Sequence, residues 1–144
     1  MKPLQVIFSA TCTPLLDWQS AALFHSFKMS NNSGTSEITR LLSCSETRSM
    51  HYPDVNLNMG PTLVDRKMSD DPSVDEHEYA PYRKPYAAIS WLEHKRPVDD
   101  GEDEFVLMMD ADMLMRGRID PVELGCRRGL VVSTEYAHLV GTTN

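Results

Sequence analysis

The chain is expected to fold as an α/β domain, with a mostly parallel sheet and helices on both faces. Three features of its 144 residues carry that expectation. The first forty-odd residues read strand, helix, strand, the unit from which parallel sheets are built. A later run of five apolar residues, Phe105 to Met109, is too short for a buried helix and too continuous for a half-exposed strand, so it suits a central strand covered on both faces. That run stops at Asp110-Ala111-Asp112, and open α/β sheets bind ligands at the carboxyl ends of their strands.

Taken in order, Gln5 to Ala10 is the first strand, and Thr11-Cys12-Thr13-Pro14 turns the chain, with Pro14 ending the extended segment. Leu16 to Met29 has apolar residues at the spacing of a helix lying on the sheet, and Trp18, Trp91 and Met29 fit core packing better than a cofactor stripe. His25 and His94, on the two expected helices, read as structural or exposed. Ser30 to Gly34 is a polar stop signal containing the glycosylation triplet Asn31-Asn32-Ser33, which carries meaning only in a secretory protein. Ile38 to Ser43 is the second strand. Cys12 and Cys44 each follow one of these strands; if the strands are neighbours, about 4.8 Å apart, the two thiols come close enough to bridge.

Residues 45–80 show no sustained periodicity and read as a poorly structured insert in a single domain spanning 1–144. Their acids are a solvated run, and His77 between two glutamates is a surface coincidence rather than a metal site. Arg83-Lys84-Pro85 opens the second helix, which continues through Ala87, Ala88, Ile89, Trp91 and Leu92 to about Lys95. Arg83 and Lys84 thus stand at a helix N-terminus, where backbone N–H groups and the dipole favour anions. Taken alone, they read as solvated surface charges. Leu130-Val131-Val132 reads as a last short strand.

Composition narrows the function. With 14 basic and 21 acidic residues the net charge is -7, which opposes binding to nucleic-acid phosphates. No apolar run approaches the ~18 residues of a membrane span, so no membrane contact by this chain is expected. The N-terminal segment faintly imitates a signal peptide but reads as a strand, because Pro3 and Gln5 interrupt it. Asp110 and Asp112 supply two hard oxygen donors suited to a divalent cation and, through it, a phosphorylated substrate. Asp also follows strands because it bonds local backbone in turns. With the apolar strand in front, the two readings stand level.

Several separated segments, in order, resemble one family: Phe8-Ser9 with Cys12-Thr13-Pro14, Asp17-Trp18-Gln19, Thr39 to Cys44, Lys84-Pro85 with Trp91-Leu92, Asp110 to Met113, Arg116-Gly117 and Val132-Ser133-Thr134. The chain resembles the peptidyl-serine α-galactosyltransferases of plants and green algae, relatives of the hydroxyproline O-arabinosyltransferases. Asp-Ala-Asp-Met favours the former, since the arabinosyltransferases carry a Glu-Pro-Asp-His type motif there. Arg83 replaces the family's Asn before Lys-Pro, and the loop from 45 to 79 barely matches.

The resemblance implies a Rossmann-like glycosyltransferase domain of the GT-A type. It would move galactose from UDP-galactose to serine hydroxyls of extensin-type, hydroxyproline-rich proteins, with Mn²⁺, in the endoplasmic reticulum or Golgi lumen. Asp112 would ligate the metal directly, with Asp110 contacting ribose, sugar, metal or its water. Lys84 and Arg83 would meet the diphosphate, and the backbone of Ser9, Ala10 and Thr11 would hold uridine. The implied oxidising lumen makes a Cys12–Cys44 disulfide expected, with Cys126 free. Of late histidine ligands His138 is the one candidate, and a poor one. No catalytic nucleophile or base can be named.

Two rivals stand beside this reading. Haloacid-dehalogenase-type phosphatases also place Asp-x-Asp after an apolar strand, but want Thr or Val where Leu114 stands, and usually carry the motif near the N-terminus. An incomplete donor-binding half would bind metal or nucleotide without turnover.

Overall fold

The computed structural model of the protein describes residues 4–32, 34, 36–65, 83–95 and 104–133. Their elements run β1 (Leu4–Thr11), α1 (Pro14–Met29), β2 (Ser36–Ser43), α2 (Glu46–Ser49), α3 (Asp54–Leu57), β3 (Thr62–Asp65), α4 (Arg83–Lys95) and β4 (Phe105–Met109). The four strands form one sheet in the order β3-β2-β1-β4, and every pairing is parallel. This is the expected α/β class.

β1 is the strand around which the sheet is built. Val6, Ile7 and Phe8 are buried in succession, which requires cover on both faces. On one face Val6 and Phe8 pack with Leu23 and Phe27 of α1. On the other, Ile7 packs with Leu41 of β2 and with Ala87 and Trp91 of α4. The alternation of a strand sends neighbouring side chains to opposite faces, so one apolar run feeds two clusters.

α1 begins earlier than its apolar period suggests. Thr13 is the N-cap: its backbone is extended and its hydroxyl accepts the Leu16 N–H at 3.4 Å. Pro14 therefore opens the helix rather than merely ending the strand, because a proline at the first helical position lacks only an N–H that would have had no helical partner.

Four expectations need correction. Phe105 to Met109 is a strand, but β4 lies at the edge of the described sheet, with Val106 and Met108 48% and 41% exposed. Among the described residues α4 packs over β1, β2 and β3, and on that face of β4 Val106 and Met108 stay partly exposed. An apolar run does not report which strand the covering helix lies on. Trp18 and Met29 are not core residues: they are 80% and 70% exposed, on the side of α1 away from Leu23 and Phe27. The stretch 45–80 is not uniformly irregular, since α2, α3 and β3 occupy much of 46–65, while 66–80 lies outside the described residues. Leu130 to Val132 forms no strand: Leu130 makes an isolated bridge with Arg127, and Val131 is exposed. His25 and His94 are both exposed.

Candidate functional site

The order β3-β2-β1-β4 places the successor of β1 on one side and β4 on the other, so the chain reverses its direction of strand addition between β1 and β4. At such a switch point the connections leave on opposite faces and open a crevice beyond the carboxyl ends of the strands. Here that crevice is a cleft of about 300 Å³. Ser9, Ala10 and Thr11 line it from β1, Ser43 from β2, Lys84 from α4, and Asp110, Ala111 and Asp112 from the turn after β4. Leu16 and Gln19 of α1 complete the wall.

The structure therefore brings Ser9, Ala10, Thr11, Lys84, Asp110 and Asp112 to one cleft, although they are separated by up to a hundred residues of sequence. Arg83 is the first residue of α4; its side chain is outside the described residues, as are His77 and His138. Cys12 and Cys44 form a disulfide with their Cα atoms 5.4 Å apart, tying together the ends of β1 and β2 just past cleft residues Thr11 and Ser43. Cys126 is a free thiol.

The two readings of Asp-x-Asp can be set against local geometry. The turn after β4 is closed by backbone alone, with the Met113 N–H donating to the Asp110 carbonyl at 3.1 Å. The Asp110 carboxylate accepts from the Lys84 ammonium instead. Among the described residues no hydrogen bond or ion pair engages Asp112, which is exposed. Asp120 is the contrast: its carboxylate accepts the N–H groups of Val122 and Glu123 at 2.9 and 3.5 Å, the ordinary turn role. Among the described residues the carboxylates of Asp110 and Asp112 thus take no part in a backbone turn, while that of Asp120 does.

The segment leaving the acid pair is held from below. Ala111 and Met115 are buried against the α1 face of the sheet. The Met115 N–H donates to Ser26 Oγ at 3.0 Å, and the Ile119 N–H to Asn32 Oδ1 at 3.0 Å. Asn32 in turn donates to the Gly117 carbonyl at 3.1 Å and is fully buried. What reads in sequence as a polar stop signal is the anchor of this segment.

A divalent cation fits this donor set. Both groups are carboxylates, the hard oxygen ligands that Mg²⁺ and Mn²⁺ prefer, and one already attracts a cationic group. No cluster of three or more metal-ligating side chains exists among the described residues. Two protein ligands among the described residues would leave the rest of the shell to water and phosphate, the usual arrangement for a metal shared with a nucleotide.

Gln19 and Ser43 are cleft residues that the chemistry of the sequence did not mark. Both fall inside segments that carry the family resemblance, but amides and hydroxyls are too common to stand out. Ser43 Oγ is buried and has no hydrogen-bond partner among the described residues.

Compared with known proteins, the chain is 38% identical over 141 residues to the peptidyl serine alpha-galactosyltransferase of Arabidopsis thaliana. It is 34% identical over 141 residues to the enzyme of the same name from Chlamydomonas reinhardtii. The chain resembles a segment of these enzymes. Each alignment takes in 98% of the chain, but only 16% and 18% of the two relatives. No protein-family model and no solved structure matches it. No helix among the described residues is long and apolar enough to cross a membrane.

Proposed function

We propose that this chain is the nucleotide-sugar-binding part of a galactosyltransferase of the GT-A type. It would take UDP-galactose as donor and deliver galactose to serine hydroxyls of hydroxyproline-rich acceptor proteins. The observation that supports the reading is the meeting of Lys84, Asp110 and Asp112 with the end of β1 in one cleft at the β1/β4 switch point. The similarity to two peptidyl serine alpha-galactosyltransferases supplies the sugar and the acceptor hydroxyl. A disulfide between Cys12 and Cys44 is in keeping with a secretory lumen such as the endoplasmic reticulum or Golgi.

The chemistry asks for a place to put negative charge. As the bond from the sugar's anomeric carbon to the diphosphate breaks, its electron pair stays on the phosphate oxygen, while the serine oxygen bonds to carbon and its proton passes to the departing phosphate or to solvent. The Lys84 ammonium, at the first turn of α4, would meet the departing phosphate, and the dipole of that helix would add to it. Asp112 and Asp110 would hold Mn²⁺, which when bound supplies charge neutralisation for the diphosphate. The end of β1, at Ser9 to Thr11, would offer backbone groups to the uridine, and Gln19 and Ser43 line the same cleft.

The test is calorimetry of UDP with the purified chain. UDP is expected to bind in the presence of Mn²⁺ and to lose that affinity with EDTA. Asp112→Asn, which removes charge and keeps shape, is expected to weaken Mn²⁺-dependent binding by tenfold or more. Unchanged Mn²⁺ and UDP affinity in Asp112→Asn would overturn the assignment.

A further inference from the structure

Lys84 and Asp110, 26 residues apart in sequence, form an ion pair across the cleft. The side chains are 46% and 35% exposed, so water screens the pair and it is easily exchanged. Its position matters more than its strength. The ammonium occupies a carboxylate oxygen that the proposed function gives to the metal and its surroundings, and a cation already there repels a second one.

We infer that Lys84 is an internal counter-ion: it holds Asp110 against metal alone and transfers to the diphosphate when nucleotide arrives, so that metal and nucleotide bind as a coupled pair. The inference rests on the reading of this cleft as a nucleotide-sugar site. The lysine is built for such a move. Its backbone is fixed by α4, whose Ala87 and Trp91 are buried against Ile7 and Leu41, while its four-carbon stem carries a point charge with rotational freedom. Asp112, two residues from Asp110, is exposed. The phosphates of a nucleotide outbid the carboxylate for the ammonium because they bring more charge, and the release of Asp110 then favours the metal. Such coupling is reciprocal, so nucleotide raises metal affinity by the factor by which metal raises nucleotide affinity.

The experiment is calorimetry of the 144-residue chain with Mn²⁺ alone, with UDP, and with UDP at saturating Mn²⁺, for the wild type, Lys84→Met and Lys84→Arg. Lys84→Met is expected to bind Mn²⁺ alone about two- to fivefold more tightly, the range set by a screened ion pair. That gain should shrink as salt approaches ~1 M. The same variant is expected to bind UDP with Mn²⁺ about tenfold more weakly, because a charge-assisted contact to phosphate is gone. Lys84→Arg keeps the charge and should stay near the wild type in both. A purely structural lysine would lower both affinities when removed. Unchanged or weaker Mn²⁺ binding in Lys84→Met, with Mn²⁺-dependent UDP binding intact in the wild type, overturns the counter-ion role alone. Absence of Mn²⁺-dependent UDP binding in the wild type overturns the function beneath it as well.

Discussion

At Ser43 the needs of folding and of binding pull apart. Its hydroxyl is buried without a partner among the described residues, a state that costs a folded protein about 1–3 kcal/mol, yet the residue lines the cleft that holds Asp110 and Asp112. Ser43→Ala is expected to leave stability unchanged or to raise it by up to about 1 kcal/mol, and to weaken UDP binding severalfold. Lower stability by urea denaturation, with UDP affinity intact, would sink this account. Tyr52 gives a pH dependence. Burial first, and then its hydrogen bond to Asp17, push its phenol up to about 12. A raised acid pKa means that the folded state holds the proton longer, so the stability from this group is whole below the unfolded value of about 10. It is lost as pH rises through about 12. Tyr52→Phe should therefore flatten the fall in stability between pH ~10 and ~12, read as denaturation midpoints across that range; an unchanged fall would show that other groups cause it. The acid pair drew attention in the sequence because its two carboxylates end an apolar strand, although Asp is also common in turns after strands. Ser43 and Gln19 did not, because nothing about a serine or glutamine reveals the cleft until the strands are placed side by side.

At the scale of elements the least readable stretch was 45–65, and Arg40 explains why. Arg40 sits in β2 with no exposed surface. Its Nη2 donates to the Asn56 carbonyl at 2.6 Å and its Nε to Thr62 Oγ1 at 3.2 Å, while Nη1 lies 3.6 Å from the Asp17 carboxylate. Asp17 also accepts from Tyr52 and, at 2.9 Å, from Asn56 Nδ2. One guanidinium and one carboxylate thus bind α1, β2, α3 and the start of β3 together. Hydrophobic periodicity cannot register an order that comes from polar contacts with a distant arginine, so β3 and the short helices were missed while β1, α1, β2 and α4 were not. Asp17→Ala strands a buried charge and is expected to cost about 3–5 kcal/mol. Replacing Arg40 and Asp17 together with Met and Leu should cost less than the sum of the single changes, because neither partner is then left unpaired. A double-mutant cycle by urea denaturation measures this; additive costs would show that the two charges act independently.

On the scale of the whole molecule, the sheet's class and parallel sense were written in the alternation of strand and helix, but its outer limit was not. Val106 and Met108 of β4 stay half open, and the chain spans about one sixth of the length of the curated relatives it matches. What ties the two inner strands together at the cleft is covalent. The Cys12–Cys44 bond joins the ends of β1 and β2 across 32 residues, a loop that includes all of α1. Closing a loop of that length in the unfolded chain is worth about 3–4 kcal/mol by chain entropy. Cys44 is also buried beside Ala10 and Leu42, so serine there would add a desolvated hydroxyl, and alanine is the cleaner replacement. Cys12→Ala with Cys44→Ala is expected to lose about 2–4 kcal/mol, a drop in Tm on the order of 10 °C for a domain of this size. Thr11 and Ser43 adjoin the two cysteines and line the cleft, so the same variant should bind UDP more weakly even where it remains folded. Cys126→Ala should stay within about 0.5 kcal/mol of the wild type. Equal thermal stability of the wild type with and without reductant, at a temperature where the thiols are shown to be reduced, would mean that the bond does not hold the carboxyl ends of β1 and β2 together.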